Sequence, residues 1–195
     1  MSDLVDSLCT WGRERRLDVE VSTAGDVAVY SQCLRLRYAL TRRLGEGERV
    51  LVGCGLNPST ATAAANDRTI SKVCAFGRLW GCGLYVMLNA YAWRATDPDD
   101  MKAAANRGND VTGEANNAVI DFVLRRAREA PGEAPIALAM WGVHAADIRQ
   151  RQLQDIAANT GVSWQCLKLN QGGSPGHPLY LPMTSELRPW PEAAP

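Results

Sequence analysis

The sequence contains an uninterrupted apolar run, Val50-Leu51-Val52-Gly53-Cys54-Gly55-Leu56, that ends in the turn Asn57-Pro58-Ser59-Thr60. A continuous run that stops at a turn is typical of a strand buried on both faces of a sheet. Similar runs follow at 83–88 and 136–141, with a weaker one at 162–169. The sequence therefore predicts a set of buried strands.

Helical periodicity fills the intervals between these runs. Helices are predicted over 69–80, 98–105, 113–129 and 144–159, the second of them with Asp97 as its N-cap. Alternation of strands and helices implies right-handed crossover connections. The predicted fold class is therefore α/β, a three-layer Rossmann-like domain with a central, mostly parallel sheet.

The length of the chain, 195 residues, is that of one domain. Residues 26–185 are predicted to form a single α/β domain. Apolar residues recur at helical spacing near the N-terminus, so residues 1–25 are predicted to be a helical extension. Residues 186–195 are rich in proline and are predicted to be a loose tail.

The charge balance limits the contacts expected with nucleic acid. Twenty-one basic residues match twenty-one acidic ones, so the chain lacks the positive field of a protein that coats nucleic acid. The sequence has one local basic cluster, made of Arg35, Arg37, Arg42 and Arg43. A solvated edge strand or helix face is favoured over phosphate contact for this cluster, because charge runs usually face water.

Other features of the composition indicate the compartment. No apolar run approaches the ~18–20 residues of a membrane span, and the N-terminus lacks the layout of a signal peptide. The six cysteines form no C-x-x-C pair, and only two histidines are present to join them around a metal. We therefore expect a cytoplasmic protein with reduced, mostly buried thiols, without a membrane partner, a metal or a cofactor.

The binding site is expected beyond the carboxyl ends of the strands, where sheets of this type bind ligands. Four turns fall there, at 55–60, 89–94, 142–144 and 172–178. Each turn combines glycine, proline or asparagine with a polar side chain. These turns are the predicted walls of the site.

Three residues of these turns are candidates for chemistry. Asn57 is most simply a turn residue, because Asn-Pro is common in turns. His177 lies in a loop rather than on an apolar face, so core packing explains it less readily. Asn89 ends a buried strand, where its amide offers a donor and an acceptor to a planar ligand edge.

The same turns carry short motifs in a distinctive order. They are Gly55-Leu56-Asn57-Pro58, Leu88-Asn89, Trp141-Gly142-Val143-His144-Ala145 and His177-Pro178-Leu179. In this order they resemble the motifs of the uracil-DNA glycosylase superfamily, and the asparagine of the first is similar to that of mismatch-type uracil/thymine glycosylases. This resemblance implies a uracil-DNA-glycosylase-like form of the fold.

A closer resemblance covers roughly residues 30–182. It rests on Leu56-Asn57-Pro58-Ser59-Thr60-Ala61, Asn66-Asp67-Arg68-Thr69-Ile70, Tyr91-Ala92-Trp93-Arg94-Ala95-Thr96-Asp97-Pro98 and His177-Pro178-Leu179-Tyr180-Leu181. These segments look like the bacterial and phage family catalogued as domain of unknown function 1643.

The glycosylase resemblance implies catalytic roles for matching residues. Cleavage of an N-glycosidic bond needs a positioned water, a stabiliser for the departing base and a pocket for the flipped base. By this resemblance Asn57 orients the water, and His177 donates a hydrogen bond to the leaving base. Asp67 is the candidate carboxylate, because an amide at position 57 does not accept a proton from water. The alternative is that Asp67 caps the helix beginning near Thr69.

Further residues are candidates for substrate binding. They are Asn89, Tyr91, Trp93, Arg94, Ser59, Thr60 and Arg68. Asn89 reads the amide edge of the base, and Tyr91 or Trp93 either stacks on the base or packs in the core. Arg94 and the two hydroxyls hold a phosphate. The late motif lacks the serine with which these glycosylases contact the DNA backbone, so a free nucleotide, a single strand or a modified base also fits.

The predicted function is that of a nucleobase-processing enzyme that hydrolyses the N-glycosidic bond of an unusual or modified base in DNA or a nucleotide. The alternatives are a noncatalytic nucleic-acid or nucleotide-binding protein, and a base-modifying transferase that uses the same pocket. The expected partner is the DNA or nucleotide substrate, and the sequence leaves the oligomeric state open.

Overall fold

The structure, a computed structural model, describes residues 2–191. Within that range the chain forms five α-helices and eight strands of one sheet. In chain order they are α1 (Ser2–Glu14), β1 (Asp18–Val21), β2 (Val27–Tyr30), β3 (Arg37–Arg43), β4 (Arg49–Gly55), α2 (Arg68–Leu79), β5 (Cys82–Asn89), α3 (Pro98–Asn106), α4 (Asn116–Glu129), β6 (Ile136–Ala139), α5 (Asp147–Thr160), β7 (Trp164–Cys166) and β8 (Arg188–Pro189). Two 3₁₀ turns occupy Gly142–His144 and Pro178–Tyr180.

The sheet is mixed, with strand order β1-β2-β3-β5-β4-β6-β7-β8. Only the unit β5-β4-β6-β7 is parallel, and the pairings β1–β2, β2–β3, β3–β5 and β7–β8 are antiparallel. The expectation of a mostly parallel sheet is therefore wrong. The loops after β1 and β2 span only residues 22–26 and 31–36, whereas a parallel connection needs a dozen residues or more.

The predicted helices are found within a few residues of their expected bounds. The Asp97 side chain accepts from the Asp99 backbone N–H at the start of α3, and Pro98 occupies the first position. Gly161 ends α5 in the left-handed region, at a φ of 70° that glycine adopts without strain. Local capping chemistry thus fixes the helix ends that border the sheet.

Side chains of the central strands alternate between two apolar clusters, one on each face of the sheet. Val52 and Val86 face the cluster that contains residues of α1, α4 and α5. Leu51 and Tyr85 face the cluster that contains residues of α2. The parallel strands are consequently buried on both faces, as their continuous apolar sequence predicts.

The terminal segments contact the same core. Leu8 and Trp11 of α1 are buried in it. Trp190, next to β8, is also buried, and its ring meets the Trp141 ring edge-on with centroids 4.8 Å apart. Residues 192–195 of the predicted tail lie outside the described residues. No helix within residues 2–191 is long and apolar enough to cross a membrane.

Candidate functional site

A cleft of about 740 Å³ opens at the carboxyl ends of the parallel strands. Its walls are the turn after β4, the start of α2, the 3₁₀ turn after β6 and the loop that carries His177. A volume of this size lies within the range of small-molecule sites, ~300–1,000 Å³. The cleft is therefore large enough to enclose a ligand rather than merely to contact one.

Six of the predicted site residues line this cleft. They are Asn57, Ser59, Thr60, Asp67, Arg68 and His177. They come from three separate stretches of sequence, two between β4 and the first turn of α2 and one after β7, and the fold brings them together because the parallel strands β4, β6 and β7 end at the same edge of the sheet. The other four, Asn89, Tyr91, Trp93 and Arg94, are not among the lining residues of the described chain.

Asn57 is held by the loop after β5. Its Nδ2 donates to the Ala95 carbonyl at 2.7 Å, and the Pro58 and Trp93 carbonyl oxygens lie 3.2 and 3.4 Å away. Because three carbonyl oxygens surround this atom, it must be the NH₂ end of the amide. Oδ1 is left without a protein partner among residues 2–191, as the acceptor that this side chain offers to the cleft.

Asp67 is the N-cap of α2 and also lines the cleft. One carboxylate oxygen accepts from the Ile70 backbone N–H at 2.8 Å, so the residue is the N-cap of α2. The side chain is half-buried and lines the cleft. Its second oxygen has no hydrogen-bond donor in the described part of the chain, which leaves it available to a substrate or water.

His177 presents a defined nitrogen to the cleft. Its Nδ1 accepts from the Leu179 backbone N–H at 3.3 Å, so the neutral ring carries its proton on Nε2. Desolvation lowers the pKa of His177, and the Asp67 carboxylate opposes this effect. The neutral ring at neutral pH therefore offers one N–H donor.

Asn89 is fully buried, and neither Oδ1 nor Nδ2 of its side chain has a hydrogen-bond partner within the described range. Strand alternation puts it on the same face as Met87, which lines the cleft. Gly55 lies between: a Cβ at position 55 would be 3.2 Å from Asn89 Oδ1 and 2.7 Å from Met87 Cε. The amide thus lies directly behind the floor of the cleft, where glycine leaves space.

The remaining predicted residues support the wall of the cleft. The Tyr91 hydroxyl accepts from the Ala146 backbone N–H at 3.3 Å, and its ring packs against the core. Trp93 forms a backbone bridge with Leu36. Arg94 lies over the Tyr30 ring, with its Cζ 5.2 Å from the ring centroid. Core packing, one of the two alternatives for these aromatic residues, describes the contacts of Tyr91.

Arg37 is a cleft residue that the sequence analysis did not select. Its side chain is 1% exposed, and Arg42 of the same strand is 6% exposed, so the expectation of a solvated basic face is wrong for both. Arg42 binds the carbonyl oxygens of Thr62 and Ala65. These contacts tie the loop at 61–66 to β3.

His144 and Tyr180 also line the cleft. His144 is exposed, and its Nδ1 lies 3.4 Å from Lys102 Nζ. Tyr180 is 82% exposed at the mouth of the cleft. Within residues 2–191, no three His, Cys, Asp or Glu side chains gather into a group that could hold a metal ion.

The structure is a mixed α/β domain with a cleft of about 740 Å³ at the carboxyl ends of its parallel strands. The chain belongs to the family described as protein of unknown function (DUF1643), whose model matches residues 37–179. That match spans β3 to the His177 loop and so includes every wall of the cleft. No curated protein and no solved structure matches the chain.

Proposed function

We propose that the protein is a nucleobase-processing enzyme that hydrolyses the N-glycosidic bond of an unusual or modified base, in DNA or in a nucleotide. The observation that carries the proposal is the Asn89 amide, which is buried behind Gly55 with both polar atoms unpartnered in the described chain. An unsatisfied buried amide costs about 1–3 kcal/mol. A base edge with one donor and one acceptor is the ligand that satisfies it.

The other lining residues supply the groups that hydrolysis needs. The water oxygen bonds to the sugar carbon while the bond from that carbon to the base nitrogen breaks, and the electron pair leaves with the base. Asn57 Oδ1 accepts a hydrogen bond from the water, and the free Asp67 oxygen takes its proton. The His177 Nε2–H stabilises the charge on the departing base. These are the roles that the resemblance to uracil-DNA glycosylases implies for the three residues.

Base release measured by mass spectrometry tests the proposal. The full chain is incubated with single- and double-stranded oligonucleotides and with free nucleotides that carry uracil, mispaired thymine, hypoxanthine or 5-hydroxymethyluracil. We expect one base to be released, and His177→Gln to slow its release on the order of a hundredfold, as removal of a catalytic proton donor does. Asp121→Asn, on the outer surface of α4, is the control that leaves the rate unchanged. Base release that survives the change at His177 contradicts the proposed role.

A second candidate, a noncatalytic binder, follows from the contacts of Asn57. Its NH₂ group is fully used by backbone carbonyls, so the residue also has a purely structural explanation. In that case the cleft binds a member of the panel and releases no base from any of them. Binding of a panel member by the wild-type chain, without release of its base, favours the binder over the enzyme.

A further inference from the structure

We propose that Arg37 binds a phosphate monoester of the substrate at the floor of the cleft. The inference rests on the proposed function and narrows its substrate to a free nucleotide or a strand with a terminal phosphate. Three features support the inference. Arg37 is a buried charge without a counter-ion in the described chain. Hydroxyl groups and a helix N-terminus line the same cleft, and the guanidinium group lies deep in it.

Arg37 is a buried cation with unused donors. Its Nη1 donates to the Ala61 carbonyl, while Nε and Nη2 have no hydrogen-bond partner among residues 2–191. Burial lowers the pKa of the guanidinium to about 10, so it stays charged at neutral pH. Its side chain nevertheless lines the cleft. The guanidinium group therefore borders the cleft.

No carboxylate of the described chain forms an ion pair with Arg37. Asp67 raises its pKa from a distance, but one oxygen of that carboxylate already caps α2. Arg42, on the same strand, shows what a satisfied arginine looks like here. Its Nε lies 3.9 Å from Asp26 Oδ2, and its Nη2 donates to Thr62 and Ala65. Arg149 is likewise buried without a carboxylate partner in the described chain, but Arg37 is the one of the two that lines the cleft, where an anionic ligand would balance its charge.

The groups around the cleft match a phosphate. The Ser59 and Thr60 hydroxyls line it, and so does Thr69 in the first turn of α2. A helix N-terminus attracts anions, and hydroxyls donate to phosphate oxygens. Arginine binds phosphate through two parallel N–H donors, and Nε and Nη2 are the pair that Arg37 leaves unused.

The depth of Arg37 favours a terminal phosphate. At 1% exposure, the guanidinium is reached only by a group that enters the cleft. An internal phosphodiester would have to bring a nucleotide on each side with it, whereas the cleft of about 740 Å³ suits one small molecule. On this proposal Asn89 reads the base and Arg37 holds the phosphate of one nucleotide.

Titration calorimetry on the full chain tests this inference. The probes are inorganic phosphate, dUMP and deoxyuridine, and the variants are Arg37→Met and Arg37→Lys. We expect wild type to bind inorganic phosphate and to bind dUMP more tightly than deoxyuridine. Arg37→Met is expected to weaken phosphate and dUMP on the order of tenfold or more, the effect of losing a charge-assisted pair of hydrogen bonds. Deoxyuridine binding should be unchanged.

Arg149→Lys is the matched control. Arg149 is also buried without a carboxylate partner in the described chain, but it donates to the Ala90 carbonyl outside the cleft. Its change should leave phosphate affinity intact. If Arg37→Met fails to fold, the wild-type comparison and Arg37→Lys decide the question. Equal affinity of wild type for dUMP and deoxyuridine, or undiminished phosphate binding by the Arg37 variants, overturns the inference.

Two more arms separate the sources of the phosphate. A short oligonucleotide with a 5′-phosphate that competes with dUMP identifies a strand end, and competition by mononucleotides alone identifies a free nucleotide. Competition that is as strong without the 5′-phosphate overturns the inference. A different result would contradict the proposed function while supporting the phosphate site. That result is phosphate binding that depends on Arg37, without release of any base.

Discussion

The Nδ2 atom of Asn57 lies 2.7 Å from the carbonyl oxygen of Ala95 and donates to it. This bond joins the turn after β4 to the loop after β5, at the carboxyl ends of these two neighbouring parallel strands. The chain therefore needs an amide at this position for the shape of its cleft, whatever the amide oxygen does with a ligand.

Asn57→Asp is expected to lower stability. A carboxylate would place a negative oxygen against the carbonyls of Trp93 and Ala95, in place of a donor. We expect a loss of about 1–3 kcal/mol in the free energy of unfolding, the cost of an unsatisfied polar group in a half-buried position. Urea unfolding at neutral pH measures it, with Asn106→Asp at the end of α3 as an exposed control. If Asn57→Asp were as stable as wild type, the hydrogen bonds from Asn57 Nδ2 to these carbonyls would make no net contribution to stability.

Gly55→Ala is expected to close the floor of the cleft. The new Cβ would lie 2.7 Å from Met87 Cε and 3.2 Å from Asn89 Oδ1, so it separates the amide from a ligand. We expect base release to fall on the order of tenfold or more, with a stability loss no greater than about 1–3 kcal/mol for overpacking.

The matched control is Gly45→Ala, since a Cβ at position 45 meets nothing within 4 Å. Steady-state kinetics and urea unfolding on both variants separate the two effects. Unchanged kinetics in Gly55→Ala would mean that the ligand does not approach Asn89 past Gly55.

Two substitutions at Asp67 separate its cap from its proposed chemistry. Asp67→Ser keeps an oxygen that accepts from the Ile70 N–H, whereas Asp67→Ala removes it. Stability should stay near wild type in the first and fall by about 1 kcal/mol in the second. Base release should be lost in both, because neither carries a carboxylate. Thermal unfolding measures the stability of both variants, and steady-state kinetics measure their base release. If Asp67→Ser released base as wild type does, the role of Asp67 would be to cap α2 and nothing more.

The lowered pKa of His177 predicts a loss of stability in acid. The unfolded chain takes up its proton near the ordinary value of about 6.5, and the folded chain does so only at lower pH. The unfolded state therefore binds more protons in that window, so stability falls as pH drops below about 6.5. Urea midpoints at about pH 7.5 and about pH 5, on either side of that value, should differ less in His177→Gln than in wild type. His144→Gln should keep the wild-type difference between the two urea midpoints. If this difference disappeared in His144→Gln, the loss of stability in acid would come from His144 and not from His177.

The strands of the parallel unit were predictable because a strand that is buried on both faces has a continuous apolar sequence, as in 50–56 and 83–88. The turns that follow were predictable for the same reason, since the carboxyl ends of parallel strands share one edge. Asp67 was predictable as a cap from its position before a helix. These inferences needed only neighbours along the chain.

The antiparallel half of the sheet and the buried arginines were not predictable in this way. Arg37 and Arg42 look like solvated charges because the groups that enclose them, the Ala61 and Thr62 carbonyls, lie 20 or more residues away. The space behind Gly55 was not predictable from the sequence either, because it depends on Met87 and Asn89 of the neighbouring strand. Tertiary partners decide these features.

The hold of Arg37 and Arg42 on the loop at 61–66 has a mechanical consequence. Their guanidinium groups bind the carbonyls of Ala61, Thr62 and Ala65 to β3, so this irregular segment is anchored to the sheet in addition to the bonds between Thr62 and Ala65 within it. Thr60 and Asn66, which border the anchored segment, line the cleft. The position of this wall is therefore set by the sheet, and a ligand has to fit against it.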